Sequence, residues 1–225
     1  YTSLYGMDIN RSYLSYNLPI RDIYAIGVDW GYTGSDDEDL NYSQNQFGLA
    51  FSYKWNDLLL GIKGSYHRTN TSWNEINYDK GGGAAFHAGI LYLLNSKLRF
   101  GFCAQNLLNY VKYGDEDSED LDKFRYQAGV NYQLIPSLNI AGAFYENGIS
   151  LAGEYWWRRQ YALRLGYKEP LWMESEIQDI YKESFFSKIN IGFGYQYKFI
   201  RLDYYYHHHV YLGNNHYFTM TLLYN

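Results

Sequence analysis

The chain has 225 residues and a formal net charge of -5, with 28 tyrosines, 12 phenylalanines, 6 tryptophans and only 3 prolines. The acidic balance argues against a nucleic-acid partner. No apolar run approaches the ~18 residues of a transmembrane helix, and the lone Cys103 rules out an intrachain disulfide framework.

Taken in chain order, short segments alternate large apolar residues with small or polar ones. Tyr1–Asp8 supplies a first strand, ending in a tight turn at Asn10–Arg11. Strands are then expected over 12–18, 23–34, 45–55, 58–68, 83–94, 97–106, 123–134, 137–146, 148–158, 160–168, 186–198, 200–210 and 215–225. Phe47, Leu49, Phe51, Tyr53 and Trp55 share one parity, with Gly48, Ala50, Ser52 and Lys54 on the other. Ile189, Ile191, Phe193, Tyr195 and Tyr197 repeat the pattern. A period of two means a strand with one apolar and one polar face. When almost every strand does this and ends in Tyr or Trp, the apolar face meets lipid. The expected fold is an all-β, transmembrane, antiparallel up-and-down β-barrel, one domain over 1–225. Its count is about fourteen strands, or twelve if weak strands merge. The chain starts at Tyr1 in mid-pattern, with no signal peptide or initiating Met, so a processed or missing N-terminal segment is expected.

Short connections fall near 19–22, 56–57, 95–96, 135–137, 158–160 and 198–199. Long ones fall near 34–43, 69–82, 108–122 and 169–184. That asymmetry is the outer-membrane arrangement, with long loops outside the cell. Two long loops are acidic: Asp36, Asp37, Glu38 and Asp39, then Asp115, Glu116 and Asp117. They read as solvated loops. Their functional alternatives are ion bridging to lipopolysaccharide and docking of a protein, and neither run has EF-hand spacing.

The polar parity gives lumen-lining candidates: Lys54, Lys63, Arg99, Arg125, Glu154, Arg164, Arg201 and Asp203, together with Asp29 and Lys188. Basic residues outnumber acidic ones, which leaves two readings: charges paired within the barrel, or a bias toward anionic guests. Gly27, Gly48, Gly61, Gly89, Gly192 and Gly194 on the same parity leave room for water or a guest. Tyr53, Trp55, Tyr132, Trp157, Tyr195, Tyr197 and Tyr224 form the expected lipid-facing aromatic girdle.

Catalytic and metal chemistry find little support. His207 and His209 share a strand face and could bind zinc, but no third ligand is evident, so they read as rim residues. Ser52, Ser65 and His67 lie on lumen parity and His87 has no serine nearby in sequence, so no triad is complete. Cys103 reads as a small packed residue. No enzyme and no cofactor are expected.

The most specific stretch is C-terminal: Gly192-Phe193-Gly194-Tyr195-Gln196-Tyr197, Arg201-Leu202-Asp203-Tyr204-Tyr205-Tyr206, and Leu212-Gly213-Asn214-Asn215-His216-Tyr217-Phe218. It resembles the C-terminus of the PorV/PorQ family of outer-membrane proteins over about 35 residues, with Gln105-Asn106-Leu107 similar to that family's mid-barrel Asn-Leu. His208 stands where the family has Pro, and Tyr205 replaces a small residue. The resemblance implies a FadL-like barrel of fourteen strands and a role with the type IX secretion system, holding or scaffolding a secreted or surface protein. The expected partners are outer-membrane lipid, lipopolysaccharide and a protein of such a complex. The rival reading is a FadL-like outer-membrane transporter or passive channel for a small solute. The Gly, Arg, Lys, Gln and Asn of the lumen parity argue against long apolar ligands.

Overall fold

The computed structural model describes residues 2–4, 9–36, 40–73, 76–113, 116–117, 123–171, 185–209 and 213–223. Among them there are fifteen strands and one 3₁₀ turn (Phe185–Lys188), and no helix long and apolar enough to cross a membrane. The chain divides into an N-terminal unit (Met7–Leu93 with Gly101–Gln127) and a C-terminal unit (Tyr1–Gly6, Leu94–Phe100 and Ala128–Asn225).

The N-terminal unit is an antiparallel meander of β2 (Ile9–Ile20), β3 (Tyr24–Asp36), β4 (Leu40–Trp55), β5 (Leu58–Trp73) and β6 (Ile76–Leu93). Strand β7 (Leu98–Tyr113) pairs with β6 and with the two-residue β8 (Glu116–Asp117). The register sorts residues into rows on two faces. One face carries Leu18–Ile26–Phe51–Ile62–Ala88 and Tyr16–Val28–Leu49–Gly64–Phe86; the other carries Asn17–Gly27–Ala50–Lys63–His87 and Ser15–Asp29–Gly48–Ser65–Ala85. Leu49 is 62% exposed and Phe47 53%, whereas His67 on the polar face is 8% exposed. That is the reverse of a water-soluble sheet, which hides its apolar face. A one-residue slip would exchange the two sets, so the pattern pins the register.

The C-terminal unit holds β1 (Thr2–Leu4), β9 (Arg125–Ile135), β10 (Leu138–Tyr145), β11 (Gly148–Trp157), β12 (Tyr161–Pro170), β13 (Ile189–Tyr197), β14 (Ile200–His209) and β15 (Gly213–Leu222). Their order is β1-β15-β14-β13-β12-β11-β10-β9, so the first strand of the chain pairs with the last, Thr2 opposite Tyr217. Trp157, Tyr161, Tyr195, Leu202 and Met220 form one row of the apolar face. Ring centroids lie 5.5 Å apart for Trp157–Tyr161 and 5.3 Å for Tyr161–Tyr195.

Tight turns join the strands at Arg21-Asp22, Asn56-Asp57, Arg158-Arg159 and Lys198-Phe199, and among the described non-glycine residues positive φ is confined there except at Asn106. Two consecutive left-handed residues, as at Arg158 and Arg159, give a turn whose twist matches that of the strands it joins.

Two expectations are corrected. Asn10 and Arg11 make no turn; they pair with Gly34 and Thr33 inside the β2–β3 ladder. The long connections expected at 34–43 and 69–82 are largely strand: β4 and β5 have 16 residues each and β6 has 18. The apolar rows run only from Trp55–Leu58–Tyr92 to Phe47–Tyr66–Ala84. That is nine residues of β4, the length a tilted strand needs to cross a bilayer. The next row on the same face is Tyr32–Asn45–Arg68–Gly82, where the Trp30 indole N–H donates to Asn45 Oδ1 at 3.2 Å. In the rows that follow, Gln44–Thr69–Gly81 and Ser43–Asn70–Lys80, both faces are polar, so periodicity vanishes although pairing continues. The thirteen strands of eight residues or more, with β1, match the expected count of about fourteen.

Candidate functional site

On the polar face of the N-terminal unit, Lys63 Nζ lies 2.7 Å from Asp29 Oδ2 and 2.9 Å from Asp29 Oδ1. Asp29 is on β3 and Lys63 on β5, so the bridge passes over β4, where the register puts Gly48 opposite Asp29. A Cβ on Gly48 would come within 2.6 Å of Lys63 Cε and would strike the Asp29 carboxylate. The glycine is therefore what lets the charges meet.

Beside this bridge the face opens into a cavity of about 460 Å³, within the range of small-molecule sites. Its walls are Ala25, Gly27, Ala50, Gly61 and Gly89, and its polar groups come from Asn17, Gln46, Ser52, Lys63, His87 and Gln105. Ile26, Phe51 and Ile62 also border it, but they stand on the opposite parity and are 40%, 42% and 48% exposed there. Cys103 lies against Gly89, 3.7 Å from where its Cβ would be.

His87 is missed by sequence reasoning as the partner of Ser65, because 22 residues separate them and only the β5–β6 register brings them together. Ser65 Oγ is 2.9 Å from His87 Nε2. The backbone N–H of Asn106 donates to His87 Nδ1 at 3.2 Å. Asn106 is left-handed (φ 55°) inside β7. Its side-chain amide donates to Lys123 O at 3.1 Å. With Nδ1 accepting, a neutral imidazole carries its proton on Nε2 and donates it to Ser65. That is the wrong tautomer for a base that would deprotonate the serine.

The C-terminal unit carries a second charged cluster. Arg164 Nε donates to Glu154 Oε2 at 2.6 Å, and Arg164 Nη1 to Asp203 Oδ1 at 2.7 Å. Arg201 Nε reaches Asp203 Oδ2 at 2.8 Å, and the Trp156 indole N–H donates to Glu154 Oε1 at 2.7 Å. Both guanidinium groups lie over the Trp156 ring, at 5.8 Å for Arg164 and 5.4 Å for Arg201. Four of the lumen candidates read from the sequence thus form one cluster: Glu154, Arg164, Arg201 and Asp203.

The remaining candidates separate. Lys54, Arg99 and Arg125 stay on the polar parity, exposed, and belong to neither cluster. Lys188 is not on a strand face but in the 3₁₀ turn, where it pairs with Glu169 at 2.7 Å. Glu169 also accepts from Tyr167. Of the acidic residues, Asp36 ends β3 and Glu116 and Asp117 form β8, while Asp37, Glu38, Asp39 and Asp115 lie outside the described residues. Tyr53, Trp55, Tyr132, Trp157, Tyr195 and Tyr197 are on the exposed apolar face; Tyr224 lies outside the described residues. His207 stands opposite Asn190 on the polar face, and His208, on the other face, contacts Asn214 Oδ1 through Nδ1 at 2.8 Å.

No protein-family model and no curated protein sequence matches the chain. Solved structures do. The toluene transporter TodX of Pseudomonas putida superposes with a TM-score of 0.61 at 10% identity, over 97% of this chain and 84% of that one. The toluene transporter TbuX of Ralstonia pickettii gives 0.61 at 9% identity, over 96% and 81%. A FadL homologue of Pseudomonas aeruginosa gives 0.53 at 12%, over 93% and 74%. Such likeness speaks to fold: the chain is an all-β, antiparallel, up-and-down barrel of the FadL-like type.

Proposed function

We propose that the protein is a non-enzymatic outer-membrane β-barrel that passes a small solute, with lipid and lipopolysaccharide around its apolar face. The observation that carries this reading is the cavity of about 460 Å³ on the polar face of the N-terminal unit, walled by glycine and alanine. Space is kept open there, and the bulky side chains are turned to the other face. The solved structures of similar fold include transporters of toluene, which supports a channel-type use of this fold.

The PorV/PorQ resemblance would instead support a carrier of secreted proteins. One of its matched stretches, Arg201-Leu202-Asp203, has a use within the sheet, since Arg201 and Asp203 complete the Arg164 cluster. It therefore needs no cargo to account for it. Reconstitution into planar bilayers and liposomes separates the two. Conductance or solute entry supports the channel; a sealed barrel that co-purifies with a large protein partner overturns it in favour of the carrier.

A further inference from the structure

We infer that the N-terminal cavity selects small uncharged solutes bearing several hydroxyl groups, of the sugar-alcohol or monosaccharide kind, over both ions and hydrocarbons. The inference rests on the channel reading and names its substrate class.

Three features of the lining carry it. First, the cavity holds no net charge of its own. Its ammonium, Lys63, is bonded to Asp29, whose side chain is only 8% exposed. Its imidazole, His87, accepts from a backbone N–H on Nδ1 and sits against Ser65 on Nε2. An ion entering would shed water and meet no unpaired counter-charge in that lining. Second, the remaining polar groups are Asn17, Gln46 and Gln105 amides and the Ser52 hydroxyl. Each can both donate and accept, which suits a guest whose every hydroxyl does the same. Third, a hydrocarbon would find little to hold it. Hydrocarbon-binding sites are lined by large apolar and aromatic side chains. Here Ile26, Phe51 and Ile62 face away, and only Ala, Gly and Cys103 supply apolar walls on the inner parity.

The space is matched to such guests. About 460 Å³ holds a five- or six-carbon polyol with part of its hydration, given roughly 30 Å³ per water in the liquid. Gly61 and Gly89, paired across β5 and β6, set that width. A Cβ on Gly61 would meet nothing nearer than backbone oxygen at 4.0 Å, and one on Gly89 nothing nearer than 3.6 Å. A larger side chain at either position is therefore accommodated by its neighbours and fills the cavity instead of breaking the sheet. Gly64, on the apolar face, has nothing within 4 Å of its would-be Cβ and serves as the control.

The test is swelling of proteoliposomes in isotonic xylitol, glucose, potassium gluconate and lysine hydrochloride, with toluene binding followed by saturation-transfer NMR in detergent. Xylitol and glucose are expected to enter faster than either salt, and to bind in preference to toluene. Gly61→Leu and Gly89→Leu, checked for folding by heat-modifiable gel mobility, should lose xylitol entry while Gly64→Leu keeps it. Lys63→Gln and Asp29→Asn should move the reversal potential in opposite directions, toward cations and toward anions respectively. Salts entering as fast as xylitol, preferential toluene binding, or unchanged xylitol entry through both folded leucine variants would overturn the inference and leave the channel standing. Entry of no solute at all would overturn the channel reading, and this inference with it.

Discussion

Arg164 and Asp203 lie on strands that are not neighbours, and their 2.7 Å ion pair crosses β13 above Gly194. A Cβ at Gly194 would stand 2.8 Å from Asp203 Oδ1 and 3.0 Å from Arg164 Nη1. Asp29 and Lys63 repeat the device over Gly48. In each unit, charge, glycine and opposite charge follow one another on three consecutive strands. Gly194→Val and Gly48→Val should each lose the bridge they shelter and about 1.5–3 kcal/mol of stability, the worth of a charge-assisted hydrogen bond. Urea unfolding of the refolded barrel in micelles measures this, and an unchanged midpoint would show that the crossing is dispensable.

Arg164 serves two carboxylates, whereas Arg201 serves one. Arg164→Met should therefore cost more than Arg201→Met. Removing one partner of a buried pair costs ~3–5 kcal/mol; Arg164 is 23% exposed and Arg201 33%, so solvent screening reduces the expected loss to about 1–3 kcal/mol. Equal midpoints for the two variants would contradict the shared role of Arg164.

The register makes a sharp pair of variants three residues apart. Leu60 sits on the apolar face opposite Tyr53 and Ile90, while Lys63 is on the polar face. Leu60→Arg should impair assembly, because an arginine facing hydrocarbon costs up to ~2–4 kcal/mol at the midplane and less one row from the edge, where Leu60 stands. Lys63→Gln should still assemble. Equal expression and equal heat-modifiable mobility of both would refute the assignment of the faces.

Ser65 and His87 have the spacing of a hydrolytic pair but the wrong proton. Fluorophosphonate probes are expected to leave Ser65 unlabelled. Labelling that disappears in His87→Ala would show that the imidazole acts as a base after all.

The Arg158-Arg159 turn holds two non-glycine residues at φ 51° and 57°. Asn-Gly at these positions should stabilise the barrel by about 1 kcal/mol, since both residues tolerate that region better. Lower stability would mean that the arginines earn their place through contacts such as Arg158 over the Trp157 ring, at 4.6 Å.

The alternation of Phe47 to Trp55 announced both a strand and its environment, because a two-residue period with bare aromatics has one physical cause. The same signal misplaced the strand ends. Tyr42 to Gln46 and His67 to Ser72 are paired without interruption, yet both of their faces are polar, so no period marks them. Parity found Glu154, Arg164, Arg201 and Asp203 on one face, but not which of them touch. That depends on strand order and on a glycine in the intervening strand. Lys188 was misjudged because a 3₁₀ turn breaks the count of two just before β13 begins. The Ser65–His87–Asn106 chain is invisible in the sequence because its first link depends on the β5–β6 register and its last is a backbone N–H.

Strands β4, β5 and β6 outrun their apolar stretch, and Trp73 still pairs with Ile76 at the far end of the β5–β6 hairpin. Whatever a peptide inserted between those two residues encoded, it would ride on a stiff two-stranded stalk lifted clear of the hydrocarbon layer. That hairpin is a natural mount for an inserted epitope, with the wall below left undisturbed.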